Sequence, residues 1–100
     1  MADIVGLRVH AAIDSGVSDE EVAGCLHAAM GYLEMADVKA PSDGERAAKP
    51  LAASLYDRAA YMVATYYYEK RGMLGDAPSA DALGVQGIIH QLRDVFKGEA

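Results

Sequence analysis

Apolar residues recur every three or four positions along most of the chain, which is the spacing of an amphipathic α-helix. The clearest example follows Ser18, where the apolar positions are Val22, Leu26, Ala29, Met30 and Leu33. No segment shows the strict alternation of apolar and polar residues that a half-buried strand needs. The pattern therefore predicts an all-α chain.

Two helix starts carry polar capping signals. Asp3 is placed to cap a first helix that runs to about Ile13, with its apolar positions at Ile4, Val5, Val9, Ala12 and Ile13 and with Leu7 off this stripe. Ser18 and Glu21 form the capping-box pattern at the start of a second helix, which we expect to end near Ala36.

A long third helix is the dominant element of the second half. Residues 37–46 contain several turn formers and are predicted to be a loop. Because proline is tolerated only in the first turn of a helix, Pro50 places the start near Lys49, and Gly72 is a plausible end after Arg71. Such a helix is roughly 33 Å long.

The third helix has two apolar stripes. The first comprises Leu51, Leu55, Ala59, Met62, Val63 and Tyr66. The second comprises Ala52, Tyr56, Ala60 and Tyr67. A helix with two apolar faces is either central in its fold or shared with a partner.

A second loop over residues 73–81 precedes a last helix. Ser79 or Asp81 is placed to cap it and Gly98 to end it, and its apolar positions are Val85, Ile88, Ile89, Leu92, Val95 and Phe96. The chain is therefore expected to be one domain, residues 1–100, a small bundle of about four helices around a long central helix at about 49–71.

Three consecutive tyrosines stand near the end of the long helix, in the segment TYYYEKRG (65–72). Consecutive helical residues point about 100° apart, so at most two of the three rings face one core. Aromatic residues are enriched at protein interfaces. We therefore predict a subunit interface that contains Tyr56, Tyr67 and Tyr68. Glu69 and Arg71 are predicted to form its polar rim or an intersubunit ion pair.

Composition and charge exclude several function classes. The net charge of −6 argues against a protein that grips nucleic acid, although a negative wall lets DNA pass without adhering. The single cysteine, Cys25, cannot form an internal disulfide, so we expect a reducing compartment. Residues 1–10 have no long apolar run, and no stretch of 18 apolar residues occurs, so we expect neither a signal peptide nor a transmembrane helix.

No pattern of catalytic or metal-binding residues stands out. The three histidines, His10, His27 and His90, fall on three different predicted helices, and none has a partner at metal-ligand spacing. Cys25 is two residues from His27 and therefore on another helix face, so we interpret it as a small core residue. We expect no enzyme activity, no metal and no cofactor.

Four segments in this order resemble the head–tail connector family of tailed double-stranded-DNA phages, also called adaptor or head-completion proteins. They are LRVHAAID (7–14), SDEEVAGCLHAAMGYLE (18–34), AAYMVATYYYEKRG (59–72) and ALGVQGIIHQLRDV (82–95). The most specific is YYEKR after a long Ala-rich helix. The chain departs from the family at Leu83-Gly84, where a proline is common, and in the loop SDGERAAKP (42–50).

The resemblance implies a structural role without catalysis. Such proteins are small helical bundles that form a ring of roughly a dozen copies below the portal protein, in the virion neck of a phage or prophage. The ring extends the DNA channel, and DNA passes through it without sequence-specific binding. Its further partner is the next neck or tail-completion protein, and before assembly the subunits are in the cytoplasm of the bacterial host.

Other functions explain part of the pattern. An intracellular all-α dimerisation or regulatory module would also use the tyrosines, but as a closed dimer. Sequence alone separates another phage neck or tail-completion protein poorly from a connector. A helix-turn-helix protein is disfavoured because residues 18–34, the segment that would read DNA, carry Asp and Glu and no Lys or Arg.

The interface hypothesis makes a prediction for Tyr67. We expect Tyr67→Ala to weaken assembly more than it weakens folding, since the phenol side chain of Tyr67 would contact a neighbouring copy. Thermal unfolding of the monomer and the mass of assemblies measure the two effects separately. An equal loss in both would place Tyr67 in the core of its own subunit.

Overall fold

The computed structural model describes residues 2–70, 84–93 and 95–96. Within these ranges the chain forms helices and no strand, which confirms the all-α prediction. The helices are α1 (Ile4–His10), α2 (Asp19–Met35), α3 (Asp43–Ala48), α4 (Pro50–Glu69) and α5 (Gln86–Leu92).

Helix α4 is the centre of the bundle, and α1, α2, α3 and α5 all pack against it. The end of α2 and the start of α4 both contact the short stretch that follows α5. Arg93 donates to the carbonyl of Ala36, and Lys49 donates to the carbonyl of Val95, two residues after Arg93. Helices α2 and α4 are therefore antiparallel. The core between them includes Val22, Leu26, Ala29, Leu33, Ala53, Tyr56, Ala60 and Val63.

The predicted helix starts are confirmed where they rest on capping residues. The Asp3 carboxylate accepts from the Gly6 N–H at 2.8 Å, and the Ser18 hydroxyl accepts from the Glu21 N–H at 3.1 Å. Pro50 is the first residue of α4, where its missing N–H costs no hydrogen bond.

The prediction of a loop over residues 37–46 is wrong for the second half of this segment, where helix α3 begins. Ser42 and Glu45 form a capping box there, in which each side chain accepts from the other's backbone N–H. The S-x-x-E signal was present in the sequence, beside the turn formers Pro41 and Gly44 that favoured a loop. Arg46 of α3 then donates twice to Asp57 of α4, at 2.7 and 2.9 Å.

The last helix is shorter than expected. It begins at Gln86, has Val85 rather than a polar residue as its N-cap, and ends at Leu92 because Arg93 is extended. Phe96 comes after the helix and is still buried. The expected caps Ser79 and Asp81, and the expected terminator Gly98, lie outside the described residues, as does Arg71 at the predicted end of the long helix.

Helix α1 packs against the core through the face opposite to the predicted apolar stripe. Leu7 is fully buried, while Val5 and Val9 are 67% and 79% exposed, which reverses the predicted sidedness of this helix for these three residues. Leu7 lies two positions from each valine, about 200° around the helix. One short helix therefore cannot bury Leu7 and the two valines against the same neighbours.

Helices α1 and α2 end in the same left-handed turn. Ala12 has φ 52° and Asp37 has φ 67°. The next residue donates its N–H five positions back in each case, from Ile13 to the Arg8 carbonyl at 3.0 Å and from Val38 to the Leu33 carbonyl at 2.9 Å. This is the Schellman arrangement, and it ends α1 three residues before the predicted end at Ile13.

The left-handed backbone at Ala12 predicts a stabilising substitution. A non-glycine residue in this region costs about 1–2 kcal/mol, which exceeds the entropy lost by ordering a glycine, so Ala12→Gly should stabilise the fold by about 0.5–1 kcal/mol. Ala28→Gly is the matched control, at an exposed position inside α2, and should destabilise by about 1 kcal/mol. Urea denaturation measures the unfolding free energy of both variants. A destabilised Ala12→Gly protein would contradict the left-handed backbone at Ala12.

Candidate subunit interface

The tyrosines at the end of α4 are half-buried. Tyr66 and Tyr67 contact each other edge to face, with ring centroids 6.1 Å apart. Tyr67 and Tyr68 also pack against the core, and Glu69 is exposed. Both rings are only partly buried, and their role in a subunit interface stays a prediction. Arg71, the last member of the predicted set, is not among the described residues.

Tyr56 is a core residue and leaves the predicted interface set. It is 1% exposed, and it shares its side of α4 with the buried residues Ala53 and Ala60, three positions before and four after it. Burial raises the pKa of its hydroxyl to about 12, with a further contribution from the Asp57 carboxylate. A ring enclosed by its own chain offers no surface to a second copy.

Tyr61, which the sequence did not single out, holds α1 on the bundle. Its hydroxyl accepts from the Asp3 backbone N–H at 3.2 Å, and its ring lies 5.7 Å from the His10 ring. The Tyr61 hydroxyl lies against Gly6, so a Cβ added at this glycine would be 2.1 Å from the hydroxyl oxygen. Gly6 is therefore required for this contact, and the contact orients α1.

Four large apolar side chains are strongly exposed within the described chain. They are Val5 at 67%, Val9 at 79%, Met35 at 90% and Leu51 at 83%. Val5, Val9 and Leu51 belong to predicted apolar stripes, and Met35 belongs to none. The 200° offset between Leu7 and the two valines signals that one face of α1 must be exposed, but it does not say which.

Two of these side chains, Val5 and Val9, lie one turn apart on α1, and we call them the α1 ridge. Met35 and Leu51 lie on different helices, each two positions from a residue buried in the α2–α4 core, so both point away from that core. Arg8 ties α1 to the first residue of α2 through Asp19, with 2.7 Å between guanidinium and carboxylate. Met35 is the last residue of α2, about 24 Å further along the helix axis, so it lies far from the ridge.

No group of three or more His, Cys, Asp or Glu in residues 2–70, 84–93 and 95–96 is arranged to hold a metal ion. Cys25 is buried, as expected for a small core residue. No helix in the described part of the chain has the length and hydropathy to cross a membrane.

Comparison of the chain with protein-family models, with curated proteins and with solved structures gave no match in any of the three.

The burial of Tyr56 predicts a specific loss of stability at high pH. Its pKa is about 10 in the unfolded chain and about 12 in the fold, so its contribution is fully present below pH 10 and is lost as the pH rises through 12. We expect Tyr56→Phe to reduce the decrease in unfolding free energy between pH 10 and pH 12. Tyr66→Phe, at a half-buried tyrosine, is the control and should show the same decrease as the wild type. Equal profiles for wild type and Tyr56→Phe would show that Tyr56 ionises freely.

Proposed function

We propose that the chain is a structural subunit of a phage or prophage head–tail connector, which assembles as a ring beneath the portal protein and extends the DNA channel. Its partners are further copies of itself, the portal protein and the next neck or tail-completion protein. No reaction or cofactor is part of this function, and its site of action is the virion neck.

The observation that carries the proposal is the exposure of the α1 ridge. Single exposed apolar residues are common on protein surfaces. Here Val5 and Val9 lie one turn apart on α1, at 67% and 79% exposure. Neighbouring apolar residues that stay at the surface are typical of a subunit that becomes covered in an assembly.

The fold and charge are consistent with this function. The resemblance implies a small helical bundle around one long helix, and α4 spans Pro50–Glu69 at the centre of the bundle. Roughly a dozen copies at −6 each would carry on the order of 70 negative charges around the channel. Such a wall repels the DNA backbone and keeps it free to move.

A dimerisation module is the second candidate, and one observation favours it. Val5 and Val9 lie one turn apart on a short helix, and two copies of such a helix can pair about a twofold axis. A dimer of this kind would leave Met35 and Leu51 exposed.

The mass of the protein over a concentration series distinguishes the two functions. We expect weak self-association, because a ring that closed without the portal would waste subunits. The chain should be monomeric at low micromolar concentration, form larger oligomers as the concentration rises, and form rings with a central hole in negative stain when portal protein from the same phage is added. Sedimentation equilibrium measures the masses.

Two results would contradict this expectation. A compact dimer of constant mass would favour the dimerisation module. Stable rings at low micromolar concentration without portal would show that the portal does not control assembly.

A further inference from the structure

The α1 ridge is one face of one helix. Val5 and Val9 are four residues apart, so their side chains lie about 40° apart around α1 and one turn apart along it. They are 67% and 79% exposed, while Leu7 on the opposite face is fully buried. The ridge therefore presents both valines to solvent as a single apolar surface.

Carboxylates border one side of the ridge. Arg8 lies about 60° from Val5 around α1. Its guanidinium donates to the Asp14 carbonyl at 3.1 Å, to the Val17 carbonyl at 2.6 Å and to the Asp19 carboxylate at 2.7 Å. These bonds bring Asp14 and Asp19 to the side of the ridge, and both residues are exposed.

A third exposed carboxylate stands at the start of α1. The Asp3 carboxylate accepts from the Gly6 N–H at 2.8 Å. The Asp14 carboxylate is held in a similar way by the Gly16 N–H at 2.9 Å. These local bonds fix the positions of both acids before a partner arrives, which lowers the entropic cost of binding to them.

Acids outnumber bases around the ridge. Residues 2–21 contain five acids, which are Asp3, Asp14, Asp19, Glu20 and Glu21, and one base, Arg8, whose charge is engaged by Asp19. Arg58, one turn before Tyr61 on α4, is the next base to consider, and the acids still number five against two when it is included. The ridge is therefore an apolar surface with a negative border.

We infer that the α1 ridge binds a basic amphipathic segment of a different protein. The apolar face of that segment covers Val5 and Val9, and its lysine or arginine side chains pair with Asp3 and Asp14 at the border. The inference goes beyond the connector function, because it specifies the chemistry of a partner and does not depend on a ring. In a connector, the segment belongs to the portal or to the next neck protein.

A second copy of the chain is a poor occupant of the ridge. Each copy carries a net charge of −6. Two ridges in contact would bring Asp3, Asp14 and Asp19 of one copy close to the same acids of the other, and like charges across a contact repel. Contact between copies is then left to other surfaces, among them the predicted one at Tyr67 and Tyr68.

Titration of the full chain with two designed peptides tests the inference. The basic probe is a helical peptide of about 15 residues, with leucines at helical spacing and lysines on both sides of them. The acidic probe has glutamate in place of every lysine. We expect the basic probe to bind at least about tenfold more tightly and to shift NMR amide signals within residues 3–20 of the chain.

Two variants separate the apolar contribution from the charged one. The ridge variant combines Val5→Ser with Val9→Ser and should bind the basic probe about tenfold more weakly. The charge variant combines Asp3→Asn with Asp14→Asn, whose amide oxygens still accept the same backbone N–H groups. It should bind about fivefold more weakly at low salt and depend less on the NaCl concentration than the wild type.

Matched controls come from the exposed face of α2. Ala28→Ser is the control for the ridge variant, and Glu34→Gln is the control for the charge variant. Both positions lie well beyond the start of α2, so both controls should bind the basic probe like the wild type. Dispersed amide spectra check that every variant is folded, and the charge variant keeps the test decisive if the ridge variant is not.

Several results would overturn the inference. The basic probe does not bind up to its solubility limit, the acidic probe binds as tightly, a folded ridge or charge variant binds like the wild type, or the shifts lie outside residues 3–20. Ridge signals that shift with the concentration of the chain alone would assign the ridge to a second copy.

The peptide titration and the ring experiment fail independently. The titration contains no portal protein, so a negative result removes the assigned partner chemistry and leaves the connector function standing. Conversely, absence of rings with portal protein would remove the connector function and leave a positive titration valid.

Discussion

The packing of α2 against α4 is the contact on which the rest of the fold is built. Four of the buried positions of α4 are alanines, Ala53, Ala59, Ala60 and Ala64. Small side chains let neighbouring elements approach the central helix closely from several directions, so α1, α3 and α5 can also reach it. The same small residues limit the core volume, and large apolar groups elsewhere in the chain are left at the surface.

Polar contacts hold α1 and α3 in place. Helix α1 has one fully buried residue, Leu7, and its orientation depends on Tyr61 above Gly6 and on Arg8, which bonds the carbonyls of Asp14 and Val17 before α2 and the carboxylate of Asp19 at its first residue. Helix α3 has no buried residue in the described structure and is joined to α4 by the Arg46–Asp57 pair. These contacts turn Val5 and Val9 outwards, and the candidate docking surface is thus a consequence of how α1 is anchored.

The tyrosines of α4 divide between different roles. Tyr56 fills the core, Tyr61 anchors α1, and Tyr67 and Tyr68 are partly buried against the core.

The sequence by itself determined the all-α class, the starts of α1, α2 and α4, and the long central helix. These features depend on residues within four positions of each other, such as Asp3 with Gly6 and Ser18 with Glu21, and on the fixed φ of Pro50. The tertiary structure alone decided which face of α1 is buried and that Tyr56 is enclosed. Those outcomes depend on contacts between distant residues, as between Asp3 and Tyr61, 58 positions apart, which no local pattern encodes. The end of α1 belongs to this second group, because Ala12 adopts a left-handed backbone where burial of Ile13 offsets its cost. Helix α2, by contrast, ends at Met35, beside the predicted end near Ala36.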